Sequence, residues 1–480
     1  MIDKAEEAGE RLVVVLDIGK TTAKLTLWTR GGELVSRETR ANARIDAGAY
    51  AALDVDGIEA WMADTLADFA KRGRVGAIVP VAHGAAAAII RSGRLGCSPM
   101  DYEDPITEAE RVGYDRERGS FSETGSPPLP DGLNLGVQLH RLERLHTELL
   151  SGDALILPWA QYWAWRLSGV AATEITSLGC HTDLWNPFAG APSRLARARG
   201  WADRLPPLRR AADALGPITS EWVDRCGLPA DVRIHCGLHD TNAALLAARG
   251  FSEISGQEST VLSTGTWFVA MRSLGHERAN DSSVLSEARD CLVNVDVSGK
   301  RVPSARFMGG REIETLTGFD VRRIDIAPDQ PALLAAARTV LAGGARVLPT
   351  FAPGCGPFSG RRGQWIDMPL DNAEHRAAVS LYAALVADAS LDLIGARERV
   401  LVEGRFADAD VFVRALAALR PNDVTYRSHA HNGVPFGALR LLDPTLKPPS
   451  ALERIEPLDG PVNAYRDVWR RDVERTEFAA

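Results

Sequence analysis

The residues that could do chemistry lie in short glycine turns that follow apolar runs. The first turn, residues 17–22, reads Asp-Ile-Gly-Lys-Thr-Thr and comes directly after the β-branched run of residues 13–16. Its glycine lets the backbone approach an anion, its threonines supply donors, and its aspartate suits a divalent cation that bridges phosphates. The spacing of a Walker loop is absent. The turn therefore predicts phosphate binding, although an ordinary Asp-x-Gly turn has the same composition.

A second turn at residues 263–266, Ser-Thr-Gly-Thr, repeats the first in the later half of the chain. The pattern Val-Leu-x-x-Gly occurs at residues 15–19 and again at residues 261–265. Strand, turn, strand is a common arrangement, so this short match leaves both chance and tandem duplication open. Two such turns facing each other across a cleft would hold a polyphosphate, which is the geometry that phosphoryl transfer requires.

A third segment, residues 236–244, places Asp240 directly before an Ala-rich run. One interpretation is an N-cap, since aspartate is favoured at that position of a helix. The other is a general base that accepts a proton from an attacking hydroxyl, because a carboxylate at a helix N-terminus stays ionised. One residue can serve in both ways. His235 and His239 are four apart, but Gly237 between them argues against a helical zinc pair.

Alternating and β-branched runs predict the strands that hold the first turn. Residues 13–28 are typical of a hairpin with a glycine at its turn, and residues 34–39 of a third strand. A helix at residues 58–71 leads into a buried strand at residues 77–82. These elements predict a sheet covered by helices.

Proline, glycine and apolar periodicity predict further elements. Residues 121–131, rich in Ser, Pro and Gly, are typical of a surface excursion, and residues 241–249 form a predicted helix ended by Gly250, with a hinge just beyond. Long helices are expected at residues 373–399 and 463–475. The second half is therefore expected to carry a sheet core of its own.

Composition excludes several classes of protein. The chain has 480 residues, beyond the size at which one core usually stops growing, so two domains or one very large one are expected. Lys plus Arg is 55 against 63 for Asp plus Glu, a net charge of -8, and no basic stretch is concentrated. Nucleic acid and anionic membranes are therefore poor partners.

The cysteines and the apolar runs predict the compartment. The six cysteines are scattered without C-x-x-C spacing, and a chain this long needs no disulfide, so a reducing environment is expected. Residues 1–10 are acidic and lack the basic and apolar regions of an export signal. No apolar run reaches the roughly 18 residues of a spanning helix. The sequence predicts a cytoplasmic protein.

Taken together, these segments resemble the FGGY family of carbohydrate kinases over essentially the whole chain. The likeness rests on residues 17–22 and 263–266 as two phosphate loops and on residues 237–240, Gly-Leu-His-Asp, as the family's G-x-x-D catalytic segment. It implies an α/β fold of two actin-like (ribonuclease H-like) domains, whose mixed sheets are flanked by helices around a central cleft. The expected domains are residues 1–248, which bind the sugar and carry the catalytic aspartate, and residues 249–480, which bind the nucleotide.

The resemblance also implies roles for individual residues. Asp240 is the expected base that deprotonates a sugar or polyol hydroxyl, ATP is the expected donor, and Asp17 is expected to hold Mg2+, directly or through water. The positions expected to bind ATP or its phosphates are Gly19, Lys20, Thr21, Thr22, Thr264, Gly265, Thr266, Gly404 and Gly437. The positions expected to contact the substrate are His83, Gly84, Asp101, Gln138, Thr176, His239 and Asp240.

Some segments depart from the family's pattern. The usual G-Q-x-H-G and W-x-D-x-R spellings are absent near His83 and Asp101, and the adenine segment retains only Gly404 of two or three adjacent glycines. The missing glycines put nucleotide affinity and nucleotide preference in question. Residues 134–139, Asn-Leu-Gly-Val-Gln-Leu, resemble rhamnulokinase-like and L-fuculokinase-like members more than xylulokinases.

The sequence thus predicts an ATP-dependent kinase that acts on a primary hydroxyl of a small ketose or polyol. An L-fuculose-like or L-rhamnulose-like sugar or a ketopentose is the expected acceptor, with xylulose, erythritol or glycerol as the alternative. Outside the kinases, the alternatives are an actin-like ATPase and a sugar-responsive regulator without catalysis. A small sugar is the expected partner, and a homodimer is left open.

Overall fold

The computed structural model describes residues 11–275, 285–320, 329–429 and 432–476. The expectation that residues 1–10 carry no export signal lies outside this part of the chain. Within the described ranges, no helix is long and apolar enough to cross a membrane.

Strands are distributed along the whole chain. Those before residue 240 are β1 (Leu12–Ile18), β2 (Thr22–Trp28), β3 (Leu34–Ala41), β4 (Arg44–Asp46), β5 (Ala51–Leu53), β6 (Val75–Ala82), β7 (Ala87–Arg91), β8 (Arg94–Leu95), β9 (Leu155–Pro158), β10 (Thr173–Glu174), β11 (Trp185–Asn186), β12 (Ala191–Pro192), β13 (Leu208–Arg209), β14 (Ala214–Pro217), β15 (Arg233–His235) and β16 (Leu238–His239). Those after it are β17 (Ser259–Thr264), β18 (Phe268–Ser273), β19 (Cys291–Val295), β20 (Arg301–Phe307), β21 (Arg346–Leu348), β22 (Gln364–Ile366), β23 (Arg399–Gly404), β24 (Val424–Arg427) and β25 (Glu453–Arg454).

Helices connect these strands and cover the sheets. They are α1 (Val55–Ala70), α2 (Glu108–Asp115), α3 (Phe121–Thr124), α4 (Leu135–Leu145), α5 (Trp159–Ser168), α6 (Ile175–Leu178), α7 (Arg194–Ala198), α8 (Ser220–Cys226), α9 (Asp240–Ala248), α10 (Gly309–Thr317), α11 (Gln330–Gly343), α12 (Asn372–Leu393), α13 (Asp410–Leu419), α14 (Gly433–Leu442) and α15 (Val462–Arg475).

The chain divides into two compact units. As far as they are described, the segments of the first unit are Met1–Gly250, Val293–Arg301 and Asn432–Lys447, and those of the second are Phe251–Leu292, Val302–His431 and Pro448–Ala480. Each unit carries a mixed sheet with helices packed on it, which confirms the predicted α/β class. The assignment of sugar binding to residues 1–248 and of nucleotide binding to residues 249–480 stays a prediction.

In the first unit, strand β1 lies inside the sheet and is buried on both faces. The sheet runs in the order β14-β15-β6-β1-β2-β3, with β1 parallel to β6 and antiparallel to β2. Because side chains alternate along a strand, Val13 and Val15 pack with helices α9 and α14, whereas Val14 and Leu16 pack with α1 and α5. The same alternation puts Asp17 on the face of Val13 and Val15, toward the helix that begins with Asp240.

In the second unit, strands β17 and β18 form the predicted second hairpin. The sheet runs β19-β20-β18-β17-β23-β24-β25, with β17 antiparallel to β18 and parallel to β23. Its core is formed by Ala-rich and Leu-rich helices, of which α12 is buried along most of its length. Both hairpins predicted from the alternating sequence are confirmed.

Two expectations about local structure are wrong. Residues 121–131 are not a surface excursion, because Ser126 is 1% exposed and the amide of Asn134 binds Ser126 Oγ, the Pro127 carbonyl and the Leu129 N–H. A side chain from outside the segment thus satisfies its backbone, which composition alone could not show.

The second wrong expectation is the end of the long helix predicted at residues 373–399. Helix α12 ends at Leu393, and Gly395 adopts a positive φ of 65°. The N–H of Ala396 then bonds to the carbonyl of Leu391 at 2.9 Å. This turn directs the chain into β23, and its left-handed glycine is a common helix ending.

Candidate active site

Asp17 is a buried carboxylate at the end of an apolar strand. Asp17 is 5% exposed, and Lys24 Nζ lies 3.5 Å from Asp17 Oδ2. Burial raises the pKa of Asp17 to about 6, with Lys24 lowering it and the charge of Asp240 raising it further. The pKa thus records both the desolvation of Asp17 and the proximity of a second carboxylate.

The turn after Asp17 is closed by its own backbone. The N–H of Gly19 donates to the carbonyl of Thr22 at 3.1 Å, and Asn42 Nδ2 donates to the carbonyl of Gly19 at 2.8 Å. A side chain on residue 19 would bring its Cβ within 3.0 Å of the Thr22 carbonyl oxygen. Glycine is therefore favoured at this position by close packing as well as by any bound anion.

Lys20, predicted to bind phosphate, is engaged with residues predicted to bind substrate. Its Nζ pairs with Asp101, lies 3.7 Å from Glu103 Oε2 and lies 5.1 Å from the centre of the Tyr102 ring. Asp101 is fully buried and also accepts a contact from Arg44 Nε at 3.0 Å. The structure therefore joins Lys20 to Asp101, an ion pair that sequence reasoning missed.

His83 follows strand β6 and is half-buried, and both of its ring nitrogens are buried without a hydrogen-bond partner among the described residues. Burial lowers the pKa of His83 to about 4, so the ring is neutral at pH 7. Tyr102 lies edge-on with its ring centre 5.7 Å away, and the Trp159 ring centre is 6.5 Å away. A buried polar ring without a partner is a candidate contact for a ligand hydroxyl.

Gly84, the next residue, allows two other groups to approach. A Cβ at residue 84 would lie 2.6 Å from Cys180 Sγ and 3.0 Å from His239 Nε2. Its neighbours thus include His239, another residue predicted to bind substrate. Glycine at this position serves close packing inside the site.

Asp240 is the first residue of helix α9, and the N-cap position belongs to His239. The interpretation of Asp240 as the N-cap is therefore wrong, because the helix begins at Asp240 and not at Thr241 as predicted. Its Oδ1 accepts from the Thr241 N–H at 2.6 Å and lies 3.2 Å from His239 Nε2. Burial lowers the pKa of His239, so a neutral imidazole faces the carboxylate.

The charge of Asp240 acts on several groups around it. Burial is the larger influence on the pKa values of Asp17, His83 and Cys180, and the charge of Asp240 shifts each of them upward. For His83 this upward effect only partly opposes burial, so its pKa stays lowered. These groups come from strand β1, from the residue after β6 and from the loop after α6. The structure thus brings together two predicted site residues, Asp17 and His83, around the predicted base.

Gln138 and Thr176 are bound by the protein itself. Gln138 Nε2 donates to the carbonyls of Ala85 at 2.8 Å and Gly132 at 2.6 Å. The hydroxyl of Thr176 donates to Glu174 Oε2 at 2.6 Å and accepts from the His239 N–H at 3.0 Å. Both side chains therefore hold neighbouring loops in place, and their contact with substrate stays a prediction.

The second glycine turn, in the second unit, closes like the first. The N–H of Gly265 donates to the carbonyl of Trp267 at 3.0 Å. The hydroxyl of Thr264 donates to the Glu403 carbonyl at 2.6 Å and accepts from the Phe406 N–H at 3.0 Å. Thr266 completes the turn, and phosphate binding by Thr264, Gly265 and Thr266 stays a prediction.

Gly404 and Gly437, both predicted to flank the adenosine, lie in different surroundings. Gly404 ends β23 with a φ of 84°, and a Cβ there would lie 2.3 Å from the Thr264 carbonyl oxygen. Gly437 lies in helix α14, and a Cβ there would lie 1.8 Å from the carbonyl oxygen of Ala243 in α9. Gly437 is therefore needed for two helices of the first unit to pack closely.

Glu403, next to Gly404, is a half-buried acid that sequence reasoning did not single out. It accepts a hydrogen bond from the hydroxyl of Ser263, and burial raises its pKa to about 7. Glu174 and Gln161 were missed in the same way. A single polar residue inside an apolar stretch, as in Val-Leu-Val-Glu-Gly, was the signal that could have identified such groups.

A metal site in this region would rest on few protein ligands. Within the described ranges, no group of three or more His, Cys, Asp or Glu side chains could hold a metal ion. Mg2+ usually keeps several waters and binds one or two carboxylates together with substrate phosphates. The buried Asp17 and the half-buried Asp240, which are electrostatically coupled, fit that donor set.

Comparisons with known proteins agree with this architecture. Residues 256–449 match the C-terminal domain of FGGY carbohydrate kinases. An L-fuculokinase from Salmonella typhi is 27% identical over 348 residues, which are 69% of this chain and 70% of that protein. A rhamnulokinase from Halalkalibacterium halodurans is 27% identical over 173 residues, 35% of each chain.

A solved structure is more similar still. The crystal structure of a carbohydrate kinase from Novosphingobium aromaticivorans has 52% sequence identity and a TM-score of 0.90, and the match covers 97% of this chain and 99% of that one. The resemblance inferred from the two glycine turns and the Gly-Leu-His-Asp segment is thereby confirmed. The similarity to this solved structure over 97% of the chain and the matching C-terminal domain place the chain in the FGGY family of carbohydrate kinases.

Proposed function

We propose that this kinase phosphorylates a primary hydroxyl of a small uncharged ketose or polyol, with Asp240 as the general base. Sugar kinases of the family use ATP as the phosphoryl donor. The observation that carries the proposal is the surroundings of Asp240, a half-buried carboxylate whose charge acts on the buried Asp17 and on His83. The ring nitrogens of His83 have no hydrogen-bond partner among the described residues. A hydroxyl bound there would meet a proton acceptor and a neutral hydrogen-bonding ring.

The contacts of Asp240 leave one of its oxygens for the substrate. The Thr241 N–H, the Thr241 hydroxyl and His239 Nε2 all approach Oδ1. Oδ2 is then the atom that takes the proton of the attacking hydroxyl. In a loose transition state that proton moves late, so the main tasks of the carboxylate are to orient the hydroxyl and to accept its proton once the bond to phosphorus forms.

The proposal includes a magnesium ion, for which Asp17 is the proposed ligand. A magnesium ion would neutralise charge on the transferred phosphoryl group, and Asp17 would hold it directly or through water. An ionised Asp17 is costly in its buried position, and a bound cation would offset that cost. The glycine turns at residues 19 and 265 are proposed to bind phosphate oxygens.

The cations near the site argue for an uncharged acceptor. Lys20 and Arg44 both pair with Asp101, and Lys20 also lies near Glu103. A sugar phosphate would need guanidinium or ammonium groups that are not already neutralised by carboxylates. Among ketoses and polyols, the similarity to an L-fuculokinase and a rhamnulokinase favours a 6-deoxyketose, with a ketopentose, xylulose, erythritol or glycerol as alternatives.

The test is a coupled ADP-release assay with a panel of acceptors. The panel contains L-fuculose, L-rhamnulose, L-ribulose, both xyluloses, erythritol, glycerol and one sugar phosphate. Turnover with a deoxyketose well above the rate without acceptor supports the proposal. Turnover with only xylulose or glycerol contradicts the deoxyketose assignment, turnover with only the sugar phosphate contradicts an uncharged acceptor, and equal ATP hydrolysis with and without acceptors indicates an ATPase.

A further inference from the structure

Glu174 is a fully buried carboxylate at the end of strand β10, beside the loop that carries Asp240. Its Oε2 accepts three hydrogen bonds, from the Thr176 N–H at 2.9 Å, the Thr176 hydroxyl at 2.6 Å and the Ser177 N–H at 3.1 Å. Its Oε1 is buried without a hydrogen-bond partner among the described residues. Burial raises the pKa of Glu174 to about 7, against the opposing effect of these hydrogen bonds. Because burying a carboxylate costs free energy, we looked for the contact that Glu174 supports.

The hydroxyl of Thr176 connects Glu174 by hydrogen bonds to the backbone N–H of His239, the residue before Asp240. A threonine hydroxyl has one proton, and here it is donated to Glu174, so a lone pair is left to face the His239 N–H at 3.0 Å. His239 is the N-cap of α9, and Asp240 is the first residue of that helix. Holding the His239 N–H therefore fixes the backbone from which the Asp240 carboxylate projects.

The other side of the same loop is held by Gln161 of helix α5. Gln161 Nε2 donates to the carbonyls of Cys236 at 3.1 Å and Gly237 at 3.2 Å. Gly237 has a φ of 77°, and a Cβ there would lie 2.0 Å from the Pro80 carbonyl oxygen. The backbone of residues 236 and 237 is thus restrained by Gln161 and Pro80. The backbone of residue 239, next to Asp240, is restrained by Thr176.

We propose that Glu174 is a positioning residue, which orients the Thr176 hydroxyl and through it the backbone that carries Asp240. This inference rests on the proposed role of Asp240 as general base. A base displaced by a fraction of an ångström still allows sugar and ATP to bind but loses alignment with the attacking hydroxyl. Loss of the restraint should therefore lower kcat much more than it changes KM.

The test compares Glu174→Ala, Glu174→Gln and Thr176→Val with the wild-type enzyme. Glu174→Ala and Thr176→Val should each lower kcat roughly 10- to 100-fold, with KM for sugar and ATP changed less than about threefold. Glu174→Gln keeps an acceptor oxygen in place and should retain kcat within roughly threefold. Because both residues act through one hydrogen bond, the double variant Glu174→Ala/Thr176→Val should be no slower than the slower single variant.

Thr182→Val is the matched control. Thr182 is equally buried in the same unit, and its hydroxyl donates to the Leu178 carbonyl at 2.5 Å and accepts from the Leu184 N–H at 3.1 Å. It should lower the melting temperature about as much as Thr176→Val without lowering kcat. An equal loss of kcat in Thr182→Val, or losses that multiply in the double variant, would overturn the proposal.

A parallel measurement on Asp240→Asn separates this inference from the proposed function. Residual turnover of Asp240→Asn should not fall further when Glu174→Ala is added. If Asp240→Asn keeps wild-type turnover, the assignment of the base is wrong. If Asp240→Asn is inactive while folded Glu174→Ala and Thr176→Val keep wild-type kcat, the base stands and the positioning role is wrong.

Discussion

The two glycine hairpins have the same backbone arrangement but carry different chemical groups. In the first unit, β1 lies between antiparallel β2 and parallel β6, and in the second, β17 lies between antiparallel β18 and parallel β23. Each turn is closed by the N–H of its glycine, Gly19 or Gly265. The matching strand directions support the tandem duplication that the short sequence repeat left open.

The two hairpins differ in the strand that carries the acidic residue. Asp17 stands on β1 itself, and the equivalent residue on β17 is Ser263. In the second unit the acid is Glu403, on the neighbouring strand β23 in register with Ser263, where the first unit has Val81 in register with Asp17. Asp17 has Lys24 and Asp240 nearby, whereas Glu403 is hydrogen-bonded by the Ser263 hydroxyl.

The two hairpins thus offer two different electrostatic environments on the same backbone arrangement. The first hairpin holds an acid beside a second acid, which suits a divalent cation and a proton acceptor. The second hairpin presents hydroxyls and an acid whose pKa is raised to about 7, which suits contact with anionic oxygens. Loss of an acid should therefore cost more activity in the first unit than in the second.

The largest effect is expected at Asp240. Asp240→Asn keeps the shape of the side chain but removes its proton acceptance, so kcat should fall roughly 100-fold or more. The measurement is steady-state ADP release with the preferred sugar, together with a thermal melt. Asp231→Asn, an exposed carboxylate of the same unit paired with Arg74, is the control and should keep full activity. A folded Asp240→Asn enzyme with normal turnover would show that Asp240 is not the base.

Asp17→Asn is expected to lower activity and raise stability. Activity should fall about tenfold or more and should respond less to added Mg2+, because a carboxylate ligand is lost. The pKa of Asp17 in the folded protein, about 6, lies above its ordinary value of 3.8, so folding takes up a proton between these two pH values. The stability that the protonated group keeps at low pH is therefore lost as pH rises through about 6. At pH 8 the variant should be more stable by about 2–3 kcal/mol.

Urea unfolding at pH 4 and pH 8 without Mg2+ checks the stability change. The advantage of Asp17→Asn should shrink strongly at the lower pH, where wild-type Asp17 is protonated in the folded enzyme. An advantage that is equal at both pH values would show that the charge of Asp17 is not its source.

Gly404→Ala tests a position where the strands beside the two hairpins carry different residues. The residue in register with Ile18 is Ala82, but the one in register with Thr264 is Gly404, with a φ of 84° and the Thr264 carbonyl 2.3 Å from any Cβ. The variant should lose about 1–3 kcal/mol of unfolding free energy through the clash. Gly354→Ala has a similar φ of 82° with open space around it, so it isolates the backbone strain. Equal losses in both variants would mean that the close approach carries no cost.

The smallest effect is expected at Glu403. As pH rises through about 7, Glu403 becomes ionised, and its charge should weaken ATP binding at the adjacent turn. Wild-type KM for ATP should therefore rise roughly threefold between pH 6 and pH 8.5. In Glu403→Gln, which resembles the protonated acid, KM for ATP should stay flat over the same range. A parallel rise in both enzymes would assign the pH dependence to another group.

The sequence alone predicted the elements whose signals are local. Alternation and β-branched runs located both hairpins, and the Ala-rich run after Asp240 located helix α9 within one residue. The glycine turns and the Gly-Leu-His-Asp segment were enough to identify the family. Local patterns succeed here because strand pleating and helix propensity depend on residues near one another in the chain.

Tertiary structure decided which side chains meet. The ion pair of Lys20 and Asp101 joins residues 81 positions apart, and the hydrogen bond between Ser263 and Glu403 joins residues 140 apart. The same applies to Gly437, whose close contact with Ala243 exists only because helix α14 returns to the first unit. Sequence spacing carries no signal for these contacts, since they arise when distant segments pack into one core and bury polar groups that must then find partners.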